Sequence, residues 1–148
     1  MDTKTKLENA LKEAMRSGDA VGKRTIRMAL AAIKQTEIDH QKTLDESAIL
    51  ALLQKELKTR RESLEEAHKA ERPDLVAEIE AEMKVVQTFL PQALSADELN
   101  TLVEGAIKEA GATSPADMGK VMKILMPRIQ GRVPGDQVSQ AVRQLLQK

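Results

Sequence analysis

The stretch Ser95-Ala-Asp-Glu-Leu-Asn-Thr-Leu-Val-Glu-Gly-Ala-Ile-Lys-Glu-Ala-Gly111 contains the start, the buried face and the end of one helix. Ser95 and Glu98 have the spacing of a capping box, in which each side chain accepts a hydrogen bond from the other residue's backbone N–H. Apolar residues then recur at the three- and four-residue intervals of a single helix face: Leu99, Leu102, Val103, Ala106 and Ile107. Glycine is the residue that most often follows a helix end. The stretch therefore predicts an amphipathic helix between Ser95 and Gly111.

Helical spacing also extends towards the N-terminus, where it predicts four helices and no strand. The first helix has an apolar face, expected to be buried, of Leu7, Ala10, Leu11, Ala14 and Met15. Ser17-Gly18-Asp19 is expected to end it and to cap the second helix. Thr43-Leu-Asp-Glu46 has capping-box spacing and is expected to open the third. Arg72-Pro73 separates the third from the fourth, because proline disfavours helical geometry in the residue before it and suits a first helical turn.

Two more helices are predicted after Gly111. Ser114 is expected to cap the sixth helix with Pro115 in its first position, Pro127 is expected to end it, and a last helix begins near Asp136. Phe89-Leu-Pro91 is the expected boundary between subdomains. The sequence thus predicts an all-α fold of two helical subdomains, a four-helix N-terminal part over residues 1–90 and a three-helix C-terminal part over residues 91–148.

Composition narrows the class of protein. The chain has 148 residues and is 41 % hydrophobic, which favours a packed core over disorder. It has no cysteine, so disulfides and thiolate zinc sites are excluded. No apolar run approaches the roughly 20 residues that cross a bilayer, and the first residues lack the apolar region of a signal peptide. We therefore expect a cytoplasmic protein without membrane contact, structural metal or cofactor.

The residues that usually carry catalysis are not arranged for it. Gly119-Lys120 departs from a phosphate-binding loop, because Ser114 stands at the first glycine and Val121 at the required Ser or Thr. Glu78, Glu80 and Glu82 are two residues apart, so a helix would point them to different sides, and they are expected to form a solvated face. His40 and His68 have no partner at metal-binding spacing. The sequence predicts no self-contained catalytic site and no catalytic residue.

Basic residues near the C-terminus are the leading candidate site. Net charge is zero, but the segment from residue 112 to 148 holds six bases against two acids. The candidate nucleic-acid-binding residues are Lys120, Lys123, Arg128 and Arg132. Gly119 and Gly131 would let another backbone approach closely. The pattern fits either an anion-binding surface or a plain solvated rim.

A second group of bases lies on the second and third helices: Arg27, Lys34, Lys58, Arg60 and Arg61. These would form an inter-helix anion-binding patch or, alternatively, ordinary pairs with glutamates four residues away. Met118, Met122 and Met126 repeat every four residues, which suits either core filling or an adaptable interface. Phe89 is the sole aromatic residue, so an RNA ligand would be a structured one such as tRNA and not a single strand whose bases need stacking partners.

Five segments spread along the chain between residues 30 and 132 resemble the YqeY-like proteins: residues 30–37, 54–63, 89–95, 118–122 and 126–132. The same module is similar to the C-terminal tail of the GatB component of the glutamine-dependent aminoacyl-tRNA amidotransferase. This resemblance implies an all-helical fold of two subdomains and a role in recognising tRNA. Descriptions of the family extend to carbon–nitrogen ligase activity with glutamine as amide donor, which in the amidotransferase belongs to other domains.

We therefore expect a non-catalytic adaptor that binds tRNA or a tRNA-handling protein. Two alternatives stay open at this point. One is an accessory component of a carbon–nitrogen ligase that acts with partner subunits. The other is a protein–protein interaction module that uses the methionine-bearing face.

Overall fold

The structure, a computed structural model, describes residues 1–129 and 132–147 and confirms the all-α prediction. Gly131, one of the two glycines expected to admit another backbone, lies outside the described residues. A short 3-10 turn, Pro115–Asp117, precedes the sixth helix. The described residues form these α-helices and no strand: α1 (Thr3–Ser17), α2 (Ala20–His40), α3 (Glu46–Lys69), α4 (Pro73–Thr88), α5 (Ala96–Ala110), α6 (Met118–Ile129) and α7 (Gly135–Leu146).

The backbone divides into two compact units, Met1–Pro91 and the residues from Gln92 onward. In the N-terminal unit, α1 packs against α2 and α3 against α4, while α2 also contacts α4. Their apolar faces enclose a core that includes Leu7, Ile26, Ile33, Leu53, Leu57 and Val86. In the C-terminal unit, α5 packs against α6 and α7, which also contact each other. The core of this unit includes Val103, Ala106, Val121, Leu125, Ile129, Val138 and Val142.

Most predicted helix ends are found where expected. Gly18 and Gly111 follow α1 and α5 in the left-handed region, at φ of 75° and 64°. Asp19 caps α2 by accepting a hydrogen bond from the Gly22 N–H at 3.0 Å. The capping box of α5 is complete, because the Glu98 N–H donates to Ser95 Oγ at 3.1 Å and the Ser95 N–H donates to Glu98 Oε1 at 3.2 Å.

The predicted capping box at Thr43 is wrong. Asp45 caps α3 instead, accepting from the Ala48 N–H at 2.8 Å. The Glu46 carboxylate does not fold back onto its own helix, because it accepts hydrogen bonds from the backbone and hydroxyl groups of Thr3. A contact across 43 residues of chain thus replaces the local one.

The predicted limits of the sixth helix also need correction. Ser114 makes no side-chain capping bond, and Pro115 opens the 3-10 turn and not the helix itself. Pro127 lies inside α6, which continues to Ile129. Ile129 is fully buried in the C-terminal core, and burial of such a side chain is worth about 2 kcal/mol. That gain favours the additional helical residues over termination at the proline.

The capping box predicts the effect of a single substitution. Ser95→Ala is expected to destabilise the C-terminal unit by about 1 kcal/mol, because the Glu98 N–H loses its acceptor. Urea unfolding followed by circular dichroism measures this. Ser63→Ala, at an exposed position inside α3, is the control and should change stability much less. Equal effects of the two substitutions would contradict a stabilising role for the cap.

The same cap should depend on pH. The backbone N–H of Ser95, followed by its hydroxyl, holds the pKa of Glu98 below its ordinary value. A carboxylate with a lowered folded-state pKa contributes stability above its unfolded pKa and loses that contribution as pH falls through the folded value. The difference in stability between the parent chain and Glu98→Gln, which keeps the acceptor oxygen but not the charge, should therefore be largest near neutral pH and shrink in acid.

Candidate nucleic-acid interface

The exposed face of α6 carries two of the four predicted C-terminal bases. Val121, Leu125 and Ile129 point into the core, so helical spacing turns the opposite face outward. Lys120 and Lys123 lie on that outward face, beside exposed Gly119. A Cβ atom at Gly119 would meet no heavy atom within 4 Å. The surface next to the two lysines is therefore open to an approaching ligand.

The four bases differ in how far they are paired. Lys120 Nζ lies 3.9 Å from Asp117 Oδ1, while Arg128 Nη2 lies 2.6 Å from Glu109 Oε2. Arg132 donates from Nε to the carbonyl oxygen of Gln92 at 2.9 Å. Lys123 has no ion pair or hydrogen bond within residues 1–129 and 132–147. The two lysines thus project freely or nearly so, and the two arginines bind groups of their own unit.

The Asp117 carboxylate accepts a backbone hydrogen bond in addition to its contact with Lys120. Its Oδ2 accepts a hydrogen bond from the Thr113 N–H at 3.0 Å. This backbone donor is the main cause that holds the pKa of Asp117 below its ordinary value, and Lys120 adds to the effect. The carboxylate is therefore ionised at neutral pH and anchored to the turn before α6, while the Lys120 side chain remains 73 % exposed.

The excess of bases near the C-terminus largely disappears when charges are counted for each structural unit. From Gln92 onward there are seven bases and six acids, and before it sixteen bases and seventeen acids. The excess of bases after residue 112 came from omitting the acids of α5, among them Glu109, which pairs with Arg128. The positive surface is therefore a local property of α6 and not a field of the whole unit.

The second group of bases is not presented as one surface, because Arg60 is buried between helices. Its side chain is 9 % exposed, with Nη1 2.9 Å from Glu56 Oε2 and Nε 3.7 Å from Glu82 Oε2. Arg24 of α2 also contacts Glu82, at 3.2 Å. Glu82 is itself only 16 % exposed, which corrects the expectation that Glu78, Glu80 and Glu82 form a solvated face. These charges join α2, α3 and α4.

The other members of that group are exposed. Lys34 lies on α2 two turns after Arg27, and Lys58 and Arg61 lie on α3. Arg27 lines a cavity at the turn between α1 and α2. Burial of Arg60 removes it from the predicted patch, and the other four bases remain exposed.

The methionines of α6 divide between two environments. Met118 and Met122 pack against the C-terminal core, as core filling predicts. Met126 is 41 % exposed, so it borders the outward face that carries Lys123. One thioether therefore remains for contact with a ligand.

Sequence reasoning missed an exposed pair of methionines in the N-terminal unit. Met15 was expected on the buried face of the first helix, yet it is 53 % exposed, and Met28 is 51 % exposed. For Met28 a signal existed, because it falls outside the apolar stripe of Ile26, Ala29 and Ile33. For Met15 the spacing was misleading, because the face of α1 that buries Leu7 and Ala14 leaves Met15 exposed in the last turn.

The described residues form neither a metal-binding cluster nor a membrane-spanning helix. In residues 1–129 and 132–147, no three His, Asp or Glu side chains converge in a way that could hold a metal ion. Within the same residues, each helix is too short or too polar to cross a bilayer.

Comparison with known proteins gives one family and several relatives. The profile of the family described as "Yqey-like protein" matches residues 4–146. Three relatives share the name "Altered inheritance of mitochondria protein 41, mitochondrial". The protein of Pyrenophora tritici-repentis is 32 % identical over 146 residues, 95 % of this chain and 79 % of its own. That of Lachancea thermotolerans is 36 % identical and that of Eremothecium gossypii 38 %, each over 119 residues.

The alignments with the Lachancea thermotolerans and Eremothecium gossypii proteins each cover 78 % of this chain and 64 % of the relative. The chain therefore spans less than two thirds of the length of those two proteins. The names contradict the prediction of a cytoplasmic protein, since they describe the relatives as mitochondrial. That prediction rested on the lack of an apolar leader. Mitochondrial targeting segments are amphipathic and Arg-rich instead, so the lack of an apolar leader did not favour the cytoplasm.

Proposed function

The chain belongs to the Yqey-like protein family, and on that premise we propose that it is a non-catalytic adaptor that binds tRNA through the outward face of α6. The observation that carries the proposal is the pair Lys120 and Lys123, exposed on one helix face beside the open surface of Gly119. Ammonium groups that project into solvent can replace the counterions of a phosphate backbone. The resemblance to a tRNA-placing tail supports the choice of polyanion.

The chemistry of the surface favours a structured RNA. Phe89, the only aromatic residue, is partly buried against the N-terminal core, so the α6 face has no ring on which a splayed base could stack. Folded RNA is recognised largely through its shape, phosphates and 2′-hydroxyls. Lysine suits such contacts because its ammonium acts as a point charge with three rotatable donors.

The test is tRNA binding by the double variant Lys120→Gln/Lys123→Gln. If both lysines contact phosphates, the slope of log affinity against log salt should fall in magnitude by about two. Binding to total tRNA, measured at several concentrations between about 50 and 200 mM salt, gives this slope. The loss of affinity should be larger at the low-salt end. Arg128 and Arg132 are poorer probes, because replacing them also removes the contacts to Glu109 and Gln92.

A matched control separates a site from general charge. Lys108→Gln/Arg143→Gln removes the same charge from exposed positions on α5 and α7 of the same unit. The proposal requires that this control keep the parent slope more closely than the α6 variant does. If both variants showed the same slope of log affinity against log salt, the change in slope would be due to net charge and not to a site on α6. If the parent chain did not bind tRNA at any salt concentration, the ligand of the adaptor would be a protein and not tRNA.

A further inference from the structure

A cavity of about 440 Å³ opens at the turn between α1 and α2, within the N-terminal unit. It has an apolar part and a basic part. The side chains that matter for its chemistry are Ala14, Met15, Met28, Lys23, Arg24 and Arg27.

The apolar part of the cavity exposes two methionine side chains. Met15 and Met28, on neighbouring helices, are each about half exposed, whereas Ala14, which also lines the cavity, is buried. Methionine adapts to varied apolar shapes and is common on surfaces that bind amphipathic helices. This part of the cavity is suited to accept an apolar side chain.

The basic part has charge available for a ligand. Lys23 and Arg27 form no ion pair among the residues that the structure describes, unlike Arg24, which contacts Glu78 at 3.0 Å. Asp19, the only acid among the described residues that line the cavity, accepts a hydrogen bond from the Gly22 N–H. Two cations therefore flank an apolar floor, which is complementary to an apolar side chain flanked by carboxylates.

The cavity is fixed by the turn that forms it. Gly18 occupies the left-handed region, and the Asp19 N–H donates to the carbonyl oxygen of Ala14 at 2.9 Å. Asp19 in turn caps α2. Because these bonds hold α1 and α2 at their junction, a ligand would find the site already formed and would order little besides the two methionine side chains.

We propose that this cavity binds an acidic amphipathic helix of a partner protein, with an apolar side chain against Met15 and Met28 and carboxylates near Lys23 and Arg27. Nucleic acid is less suitable, since phosphate and sugar would leave the thioethers uncovered and no aromatic ring lines the cavity. A lipid surface is less suitable because the site is concave. This inference does not depend on the α6 face, so the chain would have one surface for RNA and another for protein.

The probe is a synthetic helical peptide with leucine at alternating three- and four-residue intervals and glutamate at the flanking positions. Binding is followed by NMR of the full chain labelled at its methionine methyl groups. We expect the Met15 and Met28 methyl resonances to shift and those of Met118, Met122 and Met126 to stay in place. A peptide with lysine at every glutamate position should leave the Met15 and Met28 resonances unshifted. Equal shifts with both peptides, or none with the glutamate peptide, would overturn the proposal.

Two variants test the two parts of the site separately. Met15→Gln/Met28→Gln should weaken binding of the glutamate peptide about tenfold, the effect of losing a contact worth about 1.4 kcal/mol. Lys23→Gln/Arg27→Gln should weaken it at low salt and flatten its salt dependence. Met126→Gln, at an exposed methionine of the other unit, is the control and should bind like the parent chain.

Other occupants are distinguished in the same spectrum. tRNA bound at α6 should shift Met126, whereas anionic phospholipid vesicles should shift no methionine. If tRNA or vesicles shift Met15 and Met28 while the glutamate peptide does not, the assigned occupant is wrong. Failure of tRNA to shift Met126 would count against the α6 proposal and leave the cavity proposal standing.

Discussion

Leu125→Ala is expected to lower the free energy of unfolding of the C-terminal unit by about 3 kcal/mol. Leu125 is fully buried at the centre of a core that also contains Val103, Val121 and Val138. Its replacement removes apolar contacts from all sides and leaves a cavity that the surrounding helices only partly fill. A unit of fewer than about 60 residues has a total stability of only roughly 3–8 kcal/mol, so the variant should be close to unfolding at room temperature.

Hydrogen exchange resolved by residue is the measurement, because it reports each unit separately. Protection should fall throughout α5, α6 and α7 and remain in α1–α4, since every residue of the Leu125 cluster lies after Gln92. Leu145→Ala, at a partly buried position of the same core, should cost clearly less. Loss of protection in both units would contradict our proposal that residues 1–90 and 91–148 form separate folding subdomains.

Glu82→Gln is expected to destabilise the N-terminal unit by about 2 kcal/mol. The substitution keeps the shape of the side chain but removes the charge that faces both Arg60 and Arg24. Breaking a buried ion pair from one side typically costs about 3–5 kcal/mol because the remaining charge stays desolvated. Arg60 keeps its contact with Glu56 at 2.9 Å. We therefore expect a loss below that range, of about 2 kcal/mol.

Glu78→Gln is the matched control, one turn earlier on α4 and also paired with Arg24. Its side chain is 50 % exposed and Arg24 is 44 % exposed, and surface pairs of this kind contribute about 0–1 kcal/mol. Thermal or urea unfolding of the two variants gives the comparison. Similar losses of stability at positions 78 and 82 would show that burial of Arg60 does not govern the energetics of the network.

The features that the sequence predicted well are local ones. Ser95 and Glu98 satisfy each other within four residues, and Gly18 and Gly111 end helices because their own backbone geometry requires it. Gln41 and Glu71 adopt the same left-handed geometry, at φ of 53° and 55°, without being glycine. Neither residue is of a type that usually ends a helix in this geometry, so the sequence did not predict the positions of these two turns.

The features that the sequence missed depend on contacts between distant residues. Glu46 bonds Thr3 across 43 residues and Glu82 faces Arg60 across 22, so neither pairing follows from spacing along one helix. At the candidate interface, the i, i+3 spacing of Lys120 and Lys123 is by itself enough to place them on one helix face. Pairing of Arg128 with Glu109 required knowledge of how α5 packs on α6, and a charge count along the chain could not supply it.

The packing of consecutive helices also affects how the chain acquires its structure. In the N-terminal unit, α1 meets α2 and α3 meets α4 across short turns, and in the C-terminal unit α5 meets α6. Contacts between neighbours in sequence close small loops, which places proteins of this topology among the fast folders. All four helices of the first core are complete at residue 88, so that core can close during synthesis while the ribosome is still producing the second.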